Sequence, residues 1–284
     1  MAATEPAPAK INLCLYLGPA RPDGRHELVS VMQSLTLADR LTLRDGDGDA
    51  DEVRCPGVDG PNICATALAA FRRATGWGGP PQVLEIEKHV PVAAGMGGGS
   101  GDAAATLRLI FARAAVVDEA LELELATALG ADVPGQLRPG RVMATGAGER
   151  VVRLADPEPF GVLVLPSHAA LSTAAVYAEA DRLGLGRDAA ALAALDPLGR
   201  PDYVNDLEPA ARALEPSIDP ALALARRLGA HTAMVSGSGP TVIGLFDTPE
   251  EARAAGRAAA GREPAPVVAF PFPGGVRHNP RGAK

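Results

Sequence analysis

One segment constrains this chain more than any other: Val90-Pro91-Val92-Ala93-Ala94-Gly95-Met96-Gly97-Gly98-Gly99-Ser100-Gly101-Asp102-Ala103-Ala104. Five of the seven residues from Gly95 to Gly101 are glycine. The apolar stretch Val83 to Val90 before it reads as a strand, and Asp102 to Arg113 after it reads as an Ala-rich helix. Glycines let a backbone approach a bulky anion and turn its N–H groups inward. The start of the following helix adds a partial positive charge where a phosphate would sit. Ser100 could cap that helix, or offer its hydroxyl to a phosphate or to the magnesium that accompanies one. A flexible linker is the bland alternative, but a linker does not sit between so clear a strand and helix. No Gly-Lys-Ser/Thr follows, and the spacing is not Gly-x-Gly-x-x-Gly. The residues therefore imply a phosphate cradle of another type.

The rest of the chain narrows the classes. Its 284 residues, 47% of them hydrophobic, can build one large core or two modest ones. Aromatics are only 4%, so the core must come mainly from Val, Leu, Ile and Ala, and an aromatic in a cleft gains weight. The formal net charge of −7 lacks the basic footprint of a nucleic-acid binder. It does not exclude a small anionic substrate, which a few cations and backbone N–H groups can hold. Cys14, Cys55 and Cys64 are odd in number with no C-x-x-C pair, which argues against a disulfide framework or a zinc site. Met1 to Pro8 has no apolar core of a signal peptide, and no run approaches a membrane span. A soluble cytoplasmic protein is expected.

Along the chain, Lys10 to Leu17 reads as a strand, Arg21-Pro22-Asp23-Gly24 as a turn, and Ser34 to Leu43 as a second strand. Helical spacing covers Asn62 to Ala74, with Ile63, Ala67, Ala70 and Phe71 as its buried face. Asp118 N-caps a helix ending at Gly130. Val142 to Leu154 is extended, with a bend at Gly146-Ala147-Gly148. A boundary falls near Ala155-Asp156-Pro157-Glu158-Pro159, giving units of 1–155 and 156–284. Beyond it, Phe160 to Leu165 is a buried strand. Ser172 to Leu183, Ala190 to Leu195, Tyr203 to Leu214 and Pro220 to Leu228 are helical. Thr232 to Val235 and Thr241 to Phe246 are strands joined by Ser236-Gly237-Ser238-Gly239-Pro240. Thr248 opens a capping box, Val267 to Phe270 is a last strand, and the basic tail is mobile. Mixed strands and helices of this kind give an α+β class.

Pro91 to Ala104 resembles the ATP-phosphate loop of the GHMP kinases, named for galacto-, homoserine, mevalonate and phosphomevalonate kinases. Ala7-Pro8-Ala9-Lys10-Ile11-Asn12-Leu13 resembles that family's first motif, and Val235-Ser236-Gly237-Ser238-Gly239-Pro240-Thr241 its third. Three motifs in order span nearly the whole chain. The resemblance implies a two-domain fold: an N-terminal domain like ribosomal protein S5 domain 2 and a ferredoxin-like C-terminal domain. It implies ATP with Mg2+ as cosubstrate, held by Val92, Ala93, Ala94, Gly95, Met96, Gly97, Gly98, Gly99, Ser100, Gly101 and Asp102, with Asn62 near the nucleotide. No resident metal is implied.

Pro22-Asp23-Gly24-Arg25-His26-Glu27-Leu28, Leu129 to Pro134 and Asn205-Asp206 resemble marks of one branch of that family. Its members phosphorylate the 2-hydroxyl of a cytidine-diphosphate-linked methylerythritol. The resemblance makes Asp132 the base that takes the hydroxyl proton and Lys10 its neighbour, an ammonium that would favour the nascent alkoxide. Taken alone, an Asp like Asp132 is usually a cap or turn residue, and a Lys like Lys10 at a strand start is solvent-exposed more often than not. His26 matches the residue that hydrogen-bonds cytosine, though a histidine beside a turn is often structural. Asn12 would hold substrate near Lys10. Leu171 to Tyr177 resembles the segment that supplies a substrate-binding Thr173 and an aromatic, Tyr177, stacked on the base; packing within its own domain is the alternative for Tyr177. Arg25 stands where the branch has Tyr, and its guanidinium could lie on a π-face or meet a phosphate. Gly101 replaces a usual serine, and Gly135-Gln136 replaces aromatics. A different GHMP kinase (for mevalonate, homoserine or a sugar) and a non-catalytic nucleotide-binding relative are the rival readings. The partner is a small molecule, without nucleic acid or membrane, and the chain is a monomer or weak homodimer.

Overall fold

A computed structural model describes residues 2–92, 94–195 and 203–274. The first unit runs β1 (Ala3–Ala20), β2 (His26–Asp45), β3 (Glu52–Arg54), α1 (Ile63–Thr75), β4 (Gln82–Glu87), α2 (Gly98–Arg113), α3 (Glu119–Leu129), α4 (Val133–Gln136), β5 (Arg141–Gly146) and β6 (Arg150–Arg153). The second runs β7 (Gly161–Leu165), α5 (Thr173–Leu183), α6 (Ala189–Ala193), α7 (Glu208–Leu214), α8 (Ile218–Arg227), β8 (Thr232–Val235), β9 (Val242–Phe246), α9 (Pro249–Ala258) and β10 (Val267–Ala269). The α+β class expected from the mixture of elements holds. Among the described residues, no helix is long and apolar enough to cross a membrane.

The long β2 organises the first sheet, whose path is β3-β4-β2-β5-β6 with β1 paired to β2. Antiparallel β1 covers one edge of β2 along its length; on the other edge β5 takes Leu28 to Gln33 and β4 takes Arg40 to Asp45. Both long strands exceed the sequence expectation: their mutual pairing carries β1 through Pro6 and Pro8 and starts β2 at the polar His26-Glu27. Leu41, Leu43, Leu84 and Ile86 of the sheet pack on Leu68 and Phe71 of α1 and on Leu107 and Ile110 of α2. Phe71 anchors this core edge-on against Phe111 and Trp77, with centroids 4.9 and 6.0 Å away.

The second sheet has the order β10-β7-β9-β8, which is 4-1-3-2 in its own numbering and the ferredoxin-like arrangement. The apolar run of β7 is buried on both faces, as a strand without polar alternation should be. Leu163 and Leu165 meet the helices, while Val162 and Val164 meet Ala9, Ile11 and Leu13 of β1. That second contact is a core shared by the two sheets. Backbone bonds reinforce it: Leu15 N–H donates to the Val204 carbonyl at 2.7 Å, and Asp206 N–H to the Leu15 carbonyl at 2.9 Å.

Several boundaries differ from the sequence reading. α2 starts at Gly98, not at Asp102, since the helix packs closely on β1: a Cβ at Gly101 would lie 2.8 Å from the Pro8 carbonyl oxygen. α7 starts at Glu208, not at Tyr203, because Asn205 and Asp206 are spent on tertiary bonds. The buried residues of α1 are Cys64, Ala67, Leu68 and Phe71; Ile63 and Ala70 are only half-buried. The capping box at Thr248 is present in both directions. Ala93 and the basic tail from 275 to 284 lie outside the described residues.

Candidate active site

β1 enters the site through two breaks in its register with β2, between Pro8 and Lys10 and between Asn12 and Cys14. Such irregularities re-aim side chains. Lys10 and Asn12, two positions apart, share one face of the strand and line a cleft of about 800 Å³ between the units. The Lys10 side chain is 6% exposed. A buried ammonium costs several kcal/mol unless it is paired. Here Nζ meets Oδ2 of Asp132 at 3.1 Å and donates to Oδ1 of Asn12 at 2.8 Å. Asn12 Nδ2 donates to Ser30 Oγ at 2.7 Å, and Ser30 donates to the Cys14 carbonyl at 2.6 Å. This chain of bonds orients the Asn12 amide and, through it, Lys10. Ser30 was not visible from sequence; nothing distinguishes a serine in a strand until its partner strand is in register.

Asp132 stands at the N-cap position of α4 but makes no side-chain cap bond. Its carboxylate is spent on Lys10 and remains 36% exposed toward the cleft. The capping reading of this residue therefore fails on geometry. Asn62 is the opposite case. Its Oδ1 caps α1, accepting from Cys64 N–H at 2.9 Å, although the residue also lines the cleft.

The glycine-rich loop closes over this pair. Gly97, at φ +66°, is the N-cap of α2, so Ser100 is in the first turn and not the cap. Gly101 N–H already bonds the Gly97 carbonyl at 2.8 Å. The first-turn N–H groups of Gly98, Gly99 and Ser100 are the ones left for an anion. Gly101 itself does not line the cleft, unlike the described residues Val92 and Ala94 to Ser100. Gly95, at φ +69°, passes so near the second unit that a Cβ would lie 2.3 Å from the Ser236 carbonyl oxygen. Substituting Gly95→Ala is expected to lower stability by about 2 kcal/mol or more, from left-handed strain and the clash together. Urea unfolding measures this, and a change under about 0.5 kcal/mol would remove the close approach as the reason for glycine.

Beneath the loop lies a cluster the sequence did not reveal. Asp39 is fully buried and accepts from Val90 N–H at 2.8 Å and from Lys88. Lys88 also meets Asp102 Oδ2 at 2.8 Å, while Asp102 Oδ1 is buried with no partner among the described residues. Burial pushes the Asp102 carboxyl up to about 7, against the pull of Lys88. Burial also works against the Lys88 ammonium, but Asp102 and Asp39 outweigh it and raise its pKa. With two carboxylates sharing one cation, Asp102 is the member that takes up a proton. Its carboxylate, expected on the ATP side, can meet a phosphate only when protonated or through a bridging cation.

The far wall comes from both units. His26 opens β2 and is 8% exposed; Tyr177 of α5 packs on it with ring centroids 5.2 Å apart. Burial, and then the Asp132 carboxylate, push the Tyr177 phenol up to about 12, so it stays neutral. Thr173 Oγ1 lies 3.1 Å from Ser238 Oγ of the loop after β8. Arg25 lines the cleft while its Nη2 and Nε donate to Asp23 Oδ2 at 2.9 and 3.1 Å. Asn205, singled out by motif, is structural: it donates to the carbonyls of Val235 and Gly237 at 2.9 and 2.7 Å. Asp206 accepts from Leu17 N–H and pairs with Arg187.

Residues 62–140 match the family described as GHMP kinases N terminal domain, and residues 176–264 match GHMP kinases C terminal. A 4-diphosphocytidyl-2-C-methyl-D-erythritol kinase from Anaeromyxobacter sp. (strain K) is 41% identical over 268 residues, covering 90% of this chain and 84% of that one. A protein of the same name from Streptomyces coelicolor is 39% identical over 267 residues, with 86% and 88% covered. A crystal structure of a 4-(cytidine 5'-diphospho)-2C-methyl-D-erythritol kinase superposes with a TM-score of 0.78 at 34% identity, covering 95% of this chain and all of that one. Likeness of this extent spans most of the chain, and it places the chain in the GHMP kinases, in the 4-diphosphocytidyl-2-C-methyl-D-erythritol kinase family.

Proposed function

We propose that this enzyme transfers the γ-phosphoryl group of ATP to the 2-hydroxyl of 4-diphosphocytidyl-2-C-methyl-D-erythritol, with Asp132 as the base. One observation carries the reading: the Lys10–Asp132 pair, 3.1 Å apart, sits in one cleft between the α2 N-terminus and the His26–Tyr177 wall. ATP phosphates would lie against the N–H groups of Gly98, Gly99 and Ser100. The nucleobase of the second substrate would lie by His26 and Tyr177, with Arg25 at the edge and Thr173 and Asn12 along its length. Its hydroxyl then faces Asp132, which accepts the proton as the oxygen attacks. The Lys10 ammonium balances charge on the attacking oxygen and the transferring group.

Magnesium fits this site. Asp102 and Ser100 both line the cleft, Asp102 with a buried Oδ1 that no described residue pairs and Ser100 with a hydroxyl, and magnesium is held by one or two such hard oxygen donors plus phosphate oxygens. When bound, the ion would supply neutralisation of phosphate charge. Asn62, which lines the same cleft, is assigned to the nucleotide side.

The two-unit division after residue 155 is part of this proposal, since it lets the cleft open between sheets. So are a cytoplasmic location, a step in isoprenoid precursor synthesis by the non-mevalonate route, and a monomer or weak homodimer. The net charge of −7 suits a small-molecule enzyme that does not bind nucleic acid. The test is ADP release with Mg-ATP and the cytidine substrate. Turnover is expected with that alcohol and not with mevalonate or homoserine. Release with one of the latter alone would overturn the substrate, and nucleotide binding without release from any alcohol would overturn the reaction.

A further inference from the structure

Asp181 has no part in the site as described, yet it holds the residue that faces the nucleobase. His26 Nε2 stands 2.8 Å from Asp181 Oδ1, one residue on β2 and the other on α5. The Asp181 side chain is 55% exposed and that of His26 only 7%. An ionised carboxylate has no proton to give, so the ring N–H is on Nε2 and the bond runs from His26 to Asp181. In a neutral imidazole the other nitrogen, Nδ1, is then a bare acceptor. Nδ1 has no hydrogen-bond partner among the described residues, and His26 lines the cleft. Tyr177 lies one helical turn before Asp181, on the same face of α5, and its ring packs against the imidazole at a 42° tilt. The ring is therefore clamped by contact on one side and by hydrogen bonding at one end.

We infer that Asp181 is the positioning residue that makes His26 an acceptor toward the cleft, so that the enzyme prefers a nucleobase carrying an exocyclic amino group over one carrying a carbonyl at that place. The inference rests on the proposed nucleobase role of His26. The amino group of cytosine would donate to Nδ1. The corresponding oxygen of uracil would bring lone pair against lone pair. A site whose buried polar group is left unpaired by the wrong ligand discriminates strongly. Without Asp181 the imidazole can flip and can carry its proton on either nitrogen, so it can serve either base.

Steady-state kinetics test this at about pH 8, above the ordinary titration range of imidazole. The probes are the cytidine-diphosphate-linked substrate and its uridine counterpart, with saturating Mg-ATP. Asp181→Ala is expected to raise KM for the cytidine substrate about tenfold with kcat nearly kept, and to lower the cytidine-to-uridine ratio of kcat/KM by about tenfold. Asp181→Glu is expected to restore most of that ratio, and KM for ATP should hold in both variants. Exposure of Asp181 makes unfolding an unconcerning outcome, and the ATP KM checks it. An unchanged ratio in Asp181→Ala, even with a raised KM, would reduce Asp181 to a tie between the units and overturn the inference. Failure of the wild-type enzyme to turn over the cytidine substrate would instead sink the substrate reading, and the inference with it.

Discussion

The Asp132→Asn enzyme is expected to lose roughly a thousandfold in kcat while binding ATP within about threefold of wild type. General-base assistance contributes typically about 10²–10⁴. Asparagine keeps the shape and can still accept a bond from Lys10, but it cannot take the hydroxyl proton. The residue caps no helix, so no helix end is lost with the charge. Its 36% exposure also limits the structural cost, because water reaches the site. Single-turnover assays measure the chemistry, and calorimetric titration with a non-hydrolysable ATP analogue measures binding. A kcat within tenfold of wild type would end the base assignment.

Lys10→Met separates catalysis from stability in the other direction. Removing one preorganised cation at developing charge costs about 10²–10³ in kcat. The same change swaps a side chain that is 6% exposed for an apolar one of similar length. Removing one member of a buried ion pair is destabilising where it leaves the other charge dry, and is milder where water can reach the remaining charge. Asp132, 36% exposed, is open enough to be solvated, and Asn12 keeps its Nδ2 bond to Ser30, while the buried Asn12 Oδ1 loses its Lys10 donor at a cost of about 1–3 kcal/mol. The expectation is an enzyme crippled by at least a hundredfold with a melting temperature lowered by only a few degrees. A large fall in melting temperature would show that Lys10 supports the β1 strand more than the reaction. The double variant Lys10→Met with Asp132→Asn should be hardly slower than the worse single, since residues acting as one unit are strongly non-additive.

Much of this site could be read from the chain, and the reasons are local. A glycine run between a strand and a helix is a backbone device, and backbone devices are written in residue type. Gly97 and Gly95 at positive φ bear that out. Asp118, Ser172 and Thr248 cap the helices that follow them, as their side chains demand. The roles of Lys10 and Asp132 were another matter. Neither residue looks catalytic by spacing; motif resemblance marked them, and only the fold brought them to 3.1 Å from opposite ends of the first unit. Asp181 had a legible clue, four residues after Tyr177 on one helix face. Ser30, Asp39 and Lys88 had none, because a polar residue inside a strand gains meaning only from what the neighbouring strand presents.

By itself the sequence determined the α+β class, the glycine-rich loop ahead of a helix and the order of the three motifs, because these depend on periodicity, glycine freedom and short-range hydrogen bonds. The tertiary structure alone decided which polar groups are buried together. It shows that Gly101 faces β1 and not the cleft, that Asp102 turns to Lys88, and that His26 answers to a carboxylate from the other unit. Those contacts join residues far apart in the chain, and their energies exist only once the two sheets close around a shared core and exclude water.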